Sequence, residues 1–106
     1  MPKAGLVVHA VRNYRKIKMD EFAESIGIKV PTLYRLERDD PRVLIANLAR
    51  AALKLGIRFD AETREAELPP DMPESVFRVY ERKIKTSADR RMKSAAKPLG
   101  KQRKGR

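Results

Sequence analysis

Apolar positions recur through the first half of the chain at intervals of three and four residues, the spacing of one helical face. Leu6, Val7, Val8, Ala10 and Val11, with Tyr14, predict a first helix from Ala4 to about Lys16, and Ile17 plugs the turn after it. Phe22, Ala23 and Ile26 predict a second helix from about Met19 to Ile26. Leu33 and Leu36 face one way and predict a third, from near Pro31 to about Glu37, since proline is tolerated in a first helical turn. Gly27 lies between the second and third helices, where a tight turn needs a positive φ. Ala23 is small where two helix backbones approach each other. Arg38-Asp39-Asp40-Pro41 reads as a loop, after which Leu44, Ile45, Leu48, Ala49, Ala52, Leu53 and Leu55 line a fourth helix that stops at Gly56.

Beyond Gly56 the period changes from helical to alternating. Ile57-Arg58-Phe59-Asp60 and Glu65-Ala66-Glu67-Leu68 alternate apolar and polar residues, with Ala61–Arg64 as a turn between them. The pattern predicts a short β-hairpin, or else a loop running into the linker Pro69–Pro73. Two strands alone are marginal in water, so a second subunit is expected to supply their missing neighbours, with Ile57 and Phe59, or the fourth helix, at the dimer contact. Val76, Tyr80, Ile84, Ala88 and Met92 then recur every four residues and predict an amphipathic helix from about Glu74 to Met92. Phe77 and Val79 widen its stripe. This stripe can pack on its own domain, form a dimer contact or dock another protein. The organisation expected is therefore a helical domain over 1–56, a hairpin and linker over 57–73, a helix over 74–93 and a tail over 94–106 that buries too little to fold alone.

Charge narrows the partners. The net charge is +11, unevenly spread. Residues 1–70 hold 13 Lys/Arg against 10 Asp/Glu, whereas residues 71–106 hold 12 against 4, and no acidic residue follows Asp89. Such a tail suits a polyanion (DNA, RNA or an acidic membrane surface) or serves only to solubilise the chain. The chain has no cysteine and one histidine, His9, which excludes a disulfide framework and argues against a metal site. His9 is expected to be a partly exposed helix residue. Asp39-Asp40 is too sparse for a metal, no glycine-rich phosphate loop occurs, and the tyrosines lack a catalytic constellation. Neither an enzyme nor a cofactor is expected. No apolar run approaches the length of a bilayer span, and the apolar start is too short for a secretory signal; a cytoplasmic, nucleoid-associated protein is expected, with no membrane partner.

From about Val8 to Leu55 the chain resembles the Cro/C1-type, lambda-repressor-like or xenobiotic-response-element helix-turn-helix regulators. The carriers are Phe22-Ala-Glu-Ser-Ile-Gly-Ile-Lys-Val-Pro-Thr-Leu-Tyr-Arg-Leu36 followed by Glu37, with Arg12 in the first helix. Asp39-Asp-Pro-Arg-Val43 resembles a subgroup related to the HipB and HigA antitoxins. The resemblance implies a mostly α fold, a helix-turn-helix bundle of four to five helices, with the hairpin, C-terminal helix and basic tail appended. It implies that Arg12 and Glu37 pair beneath the recognition helix and hold the fold.

The resemblance also implies which positions face DNA. Val30 and Pro31 stand where side chains reach base edges, with Thr32, Tyr34 and Arg35 following. Lys29 holds the cap position, Met19 opens the second helix near a phosphate, and Arg38 and Arg42 lie toward the backbone or minor groove. Val30 and Pro31 cannot hydrogen-bond from their side chains, although they can pack on a thymine methyl. Met19 cannot clamp a phosphate by hydrogen bonding, and Lys29 replaces a cap with a charge. Direct readout therefore falls mainly on Arg35, with more of the affinity left to phosphates and DNA shape. The expected activity is that of a dimeric repressor on double-stranded DNA. The alternatives are an antitoxin that binds a toxin through residues 74–106, and a helix-turn-helix module that binds a regulator protein instead of DNA.

Overall fold

The computed structural model describes residues 1–84. Four helices occur in order, α1 (Ala4–Tyr14), α2 (Met19–Ser25), α3 (Val30–Glu37) and α4 (Ile45–Leu55). A two-stranded antiparallel sheet follows, β1 (Phe59–Asp60) and β2 (Glu65–Ala66), with Phe59 opposite Ala66 and Asp60 opposite Glu65. A fifth helix, α5, begins at residue 74 and runs to residue 84, the last one described. The helices predicted from the periodicity are present, and the mostly helical bundle that the resemblance implied is the fold observed.

The same device ends all four of the first helices. A residue with positive φ follows each one: Lys16 at 60°, Gly27 at 75°, Asp39 at 59° and Gly56 at 71°. In each case the next residue's N–H reaches back five positions, Ile17 to Arg12 O, Ile28 to Ala23 O, Asp40 to Arg35 O and Ile57 to Ala52 O. This is the Schellman closure, which satisfies carbonyls that a helix end leaves unpaired. Glycine announces it at Gly27 and Gly56. At Lys16 and Asp39 an ordinary side chain adopts the left-handed region, which is why the first helix stops two residues short of the Lys16 expected.

The core is built on α1, whose Ala4, Val7, Val8, Ala10 and Val11 are fully buried. Phe22 and Ala23 of α2, Leu33 and Leu36 of α3, and Leu48, Ala51, Ala52 and Leu55 of α4 close around it. Ile17 packs half-buried against them. Burial of this kind contributes roughly 25 cal/mol for each Å² of apolar surface withdrawn from water, and it is the main force holding these short helices together. Two leucines expected in the core stand outside it. Leu44 caps α4 and is 66% exposed, and Leu53 is 81% exposed. Leu44 precedes the first helical residue, and Leu53 lies roughly 140–160° around the helix from the buried Leu48 and Leu55, on the outer side.

The open side of β2 is met by the N-terminal segment of its own chain. Ala4 N–H donates to Arg64 O at 2.9 Å, Ala66 N–H donates to Pro2 O at 2.9 Å, and Lys3 bridges Glu65 in antiparallel fashion. A second subunit is not needed to pair β2, contrary to the expectation. Ile57 is also corrected as a dimer contact: it is 7% exposed and belongs to the core. Phe59 is half-buried against that core.

The apolar stripe of the last helix packs in cis over its described part. Phe77 is fully buried and Ile84 nearly so, with Val76 and Tyr80 packed half-buried on the core. Val79 is left outward. Ala88 and Met92, and the tail over 94–106, lie outside the described residues. One core thus runs from residue 4 to residue 84, across the divisions expected at 56 and 73.

Candidate nucleic-acid interface

α2 and α3 are joined through Gly27 and place α3 on the surface. Leu33 and Leu36 point inward and are fully buried, so the opposite side of the helix is presented to solvent. Lys29, Val30, Pro31, Tyr34 and Arg35 are all exposed on it, and Thr32 is half-buried. Lys29 is the N-cap residue and makes no side-chain cap hydrogen bond. A lysine cannot accept the hydrogen bond that a serine or threonine cap would, and its ammonium is left at the helix entrance. Met19, the first residue of α2, is half-buried against the core. Much of its surface is used inward rather than offered to a phosphate.

The basic residues around α3 are not equally committed. The Arg38 guanidinium stacks on the Tyr34 ring, its central carbon 3.4 Å from the ring centroid, and its Nη1 donates to Tyr34 O. Arg42 donates from Nε and Nη2 to the two carboxylate oxygens of Asp40, at 3.1 and 2.8 Å. Those hydrogen bonds, with the Arg42 N–H and the nearby Arg42 and Arg35 charges, hold the Asp40 carboxyl down at about 2. Asp40 therefore carries its charge at any physiological pH and offsets part of the positive potential beside the helix. Arg35 is exposed, and its side chain makes no hydrogen bond or ion pair among the described residues.

Beneath this surface lies the pair that the resemblance implied. Glu37, the last residue of α3, is fully buried, and Arg12 of α1 is 6% exposed. Arg12 Nε donates to Glu37 Oε2 at 2.6 Å and Nη2 to Oε1 at 3.0 Å, a bidentate arrangement. Its Nη1 donates to Ile17 O at 2.7 Å, which ties the α1–α2 turn to the same guanidinium. One side chain thus fixes the end of α1, the approach to α2 and the end of α3.

His9 is the member of this group that sequence reasoning missed. Its Nδ1 lies 2.8 Å from Glu37 Oε1, and its ring meets Tyr80 of α5 edge-on, centroids 5.8 Å apart. An ionised carboxylate only accepts, so Nδ1 carries the proton in this bond. His9 is partly exposed, as expected, yet it spans from α3 to α5. The signal was thin: His9 and Arg12 are three apart on one helix face, and nothing local points to residue 37 or 80.

Glu37 sits below its usual value of 4.5. Burial alone would raise it, and that push is outweighed by the hydrogen bonds from His9 and Arg12 together with their charges. Among the described residues no cluster of His, Asp or Glu could hold a metal ion, and no helix is long and apolar enough to cross a membrane.

A short helix with one buried face, a glycine corner before it and an outward face that carries the exposed Arg35 describe a helix-turn-helix. A family model described as helix-turn-helix matches residues 8–61, just over half of the chain. The chain belongs to the helix-turn-helix family. It is a DNA-binding regulator of the Cro/C1, or xenobiotic-response-element, type; the match assigns no subgroup. No curated protein and no solved structure matches the chain. In this helix-turn-helix protein Arg12, Glu37 and His9 support α3, the second helix of the motif, from within.

Proposed function

We propose that this helix-turn-helix protein is a dimeric, sequence-specific repressor that lays α3 in the major groove of each half of an inverted-repeat operator. The observation that carries the reading is the exposed Arg35 on a helix whose far end is anchored by the buried Glu37–Arg12 pair. Half-sites then lie about one helical turn apart, or a multiple of it, and repression follows from occupying a promoter. The test is titration of the promoter fragment upstream of the gene at two salt concentrations. Saturable, sequence-selective binding is expected, weakening steeply with salt. Equal affinity for every duplex would mean non-specific coating, and no binding even at low salt would leave the protein-interaction reading instead.

Arg35 has an effect of its own. Arg35→Ala is expected to relax preference at one base pair per half-site by about 1–3 kcal/mol, the usual worth of a bidentate contact to guanine. Because Arg35 is exposed, the melting temperature should stay where it is. A selected-site comparison of wild type and variant checks this, and an unchanged base preference counts against it.

The dimer surface passes to α4 once Ile57 is assigned to the core. Leu53, 81% exposed, and Leu44, 66% exposed, are the large apolar groups this helix region leaves uncovered. Leu53→Arg adds a charge beside Arg50 and Lys54 and is expected to shift the chain from dimer to monomer in sedimentation equilibrium. A retained dimer mass moves the contact elsewhere. A toxin or regulator held through residues 74–106 gains no support from α5, whose Phe77 and Ile84 already serve its own chain.

A further inference from the structure

The outward face of α3 divides chemically into an apolar leading edge and one uncommitted guanidinium. Val30, the first residue of the helix, is 39% exposed, and Pro31 beside it is also exposed. Neither side chain can donate or accept a hydrogen bond, and Pro31 has no N–H. Next along, Tyr34 is covered on one face by Arg38 at 3.4 Å, and Arg42 is taken up by Asp40. Arg35 alone on this helix keeps an exposed guanidinium without a hydrogen-bond partner among the described residues. Pro31 and Arg35 are four residues apart, hence neighbours on one helical face, with Cβ atoms about 5–6 Å apart.

We propose that this edge reads the C5-methyl group of a pyrimidine lying next to a guanine, with Val30 and Pro31 packed on the methyl and Arg35 bonded to the guanine O6 and N7. The proposal rests on the DNA-binding reading above and adds the chemistry of the ligand. In the major groove thymine differs from cytosine in its methyl group and in presenting O4 where cytosine presents an amino group. An apolar edge cannot bond either polar group, so the methyl is what it senses. Arg35 suits the adjoining position because a guanidinium bonds through its edge while its weakly hydrated face lies against apolar surface.

Thymine and 5-methylcytosine carry the same methyl at the same ring position. The leading edge therefore favours both over unmethylated cytosine, and methylation of cytosine in the operator strengthens binding. One buried methyl corresponds to about a four-fold change in affinity per half-site.

The test uses the full chain. Bound duplexes are selected from a randomised pool, and the best is remade with uracil replacing each thymine in turn, an exchange that deletes only the methyl. One thymine per half-site, beside a guanine, is expected to bind about four-fold more weakly as uracil. At that position a cytosine–guanine pair should bind more tightly when C5-methylated. The uracil penalty should disappear in Val30→Ser/Pro31→Ser, and should shrink in Val30→Ser alone, which keeps the helix-opening proline. Indifference to every uracil exchange, or a penalty that survives in both variants, overturns the methyl reading and leaves sequence-selective binding intact. A pool that yields no preferred sequence overturns selective recognition itself, so the two failures are distinguishable.

Discussion

Glu37→Ala is expected to destabilise the fold by about 3–5 kcal/mol, because it strands the Arg12 guanidinium in the interior without its counter-charge. Domains of this size are stable by only about 5–15 kcal/mol, so the variant should unfold well below the wild-type urea midpoint. Two of the three Arg12 donors lose their acceptor, and the third still reaches Ile17 O. His9 loses its partner at the same time. Glu37→Gln keeps the shape and one acceptor but not the charge, and should fall between wild type and Glu37→Ala. Arg12→Met combined with Glu37→Leu should recover much of the loss, since an apolar pair of similar volume often replaces a buried ion pair at little cost. Equilibrium urea unfolding of the four proteins decides the matter. An unchanged midpoint in Glu37→Ala would show that the pair does not hold α3.

The same carboxylate gives the stability a direction in pH. The folded value of Glu37 lies below its usual 4.5, with burial opposing and the His9 and Arg12 hydrogen bonds prevailing. A group depressed by folding stabilises the native state fully above its unfolded value and loses that contribution as the pH falls through its folded value. This part of the stability is therefore complete above about pH 4.5 and disappears on further acidification. Glu37→Gln has no such group at position 37, so its difference from wild type should narrow as the pH drops through that window.

Much of this arrangement was legible in the sequence, for reasons that separate by range. The helices were legible because their buried faces repeat locally. Leu33 and Leu36 specify the inward side of α3 whatever lies beneath them, and Gly27 marks its corner by being the residue that takes φ of 75° without strain. The Arg12–Glu37 pair came through the resemblance; spacing alone does not connect residues 25 apart. Long-range features were not legible. Residues 2–4 are too few to show an alternating pattern, so nothing in the sequence announces the bridge from Lys3 to Glu65 that meets β2 in place of a second subunit. Leu53 lies about 140° around the helix from Leu48 and about 160° from Leu55, so it cannot share their face, and counting every apolar residue of this stretch as core overlooked that. Exposure of Val30, Pro31, Tyr34 and Arg35 follows from Leu33 and Leu36 facing inward, but the commitment of Arg38 to Tyr34 and of Arg42 to Asp40 follows from rotamers that composition does not encode.

Gly5→Ala is the second substitution expected to be severe, and intrinsic propensity predicts the opposite sign. Replacing a helical glycine by alanine ordinarily stabilises a helix by about 1 kcal/mol. Here the added Cβ would come to 2.1 Å from Leu36 O and within 3.1 Å of Asp39 N. Both neighbours are backbone atoms at the end of α3, engaged with each other through the Asp39 N–H to Leu36 O bond. They cannot swing aside as a side-chain tip would, so α1 and α3 must separate. The separation would disturb Leu36 and Glu37, both fully buried. Overpacking of this kind costs about 1–3 kcal/mol or more, which exceeds the propensity gain. The displaced element is the helix proposed to enter the major groove, so DNA affinity should fall together with the thermal midpoint. Gly27 offers the contrast, since its Cβ would meet nothing within 4 Å and its requirement is one of φ alone. A Gly5→Ala protein that melts at or above the wild-type temperature would mean that α1 and α3 do not approach this closely.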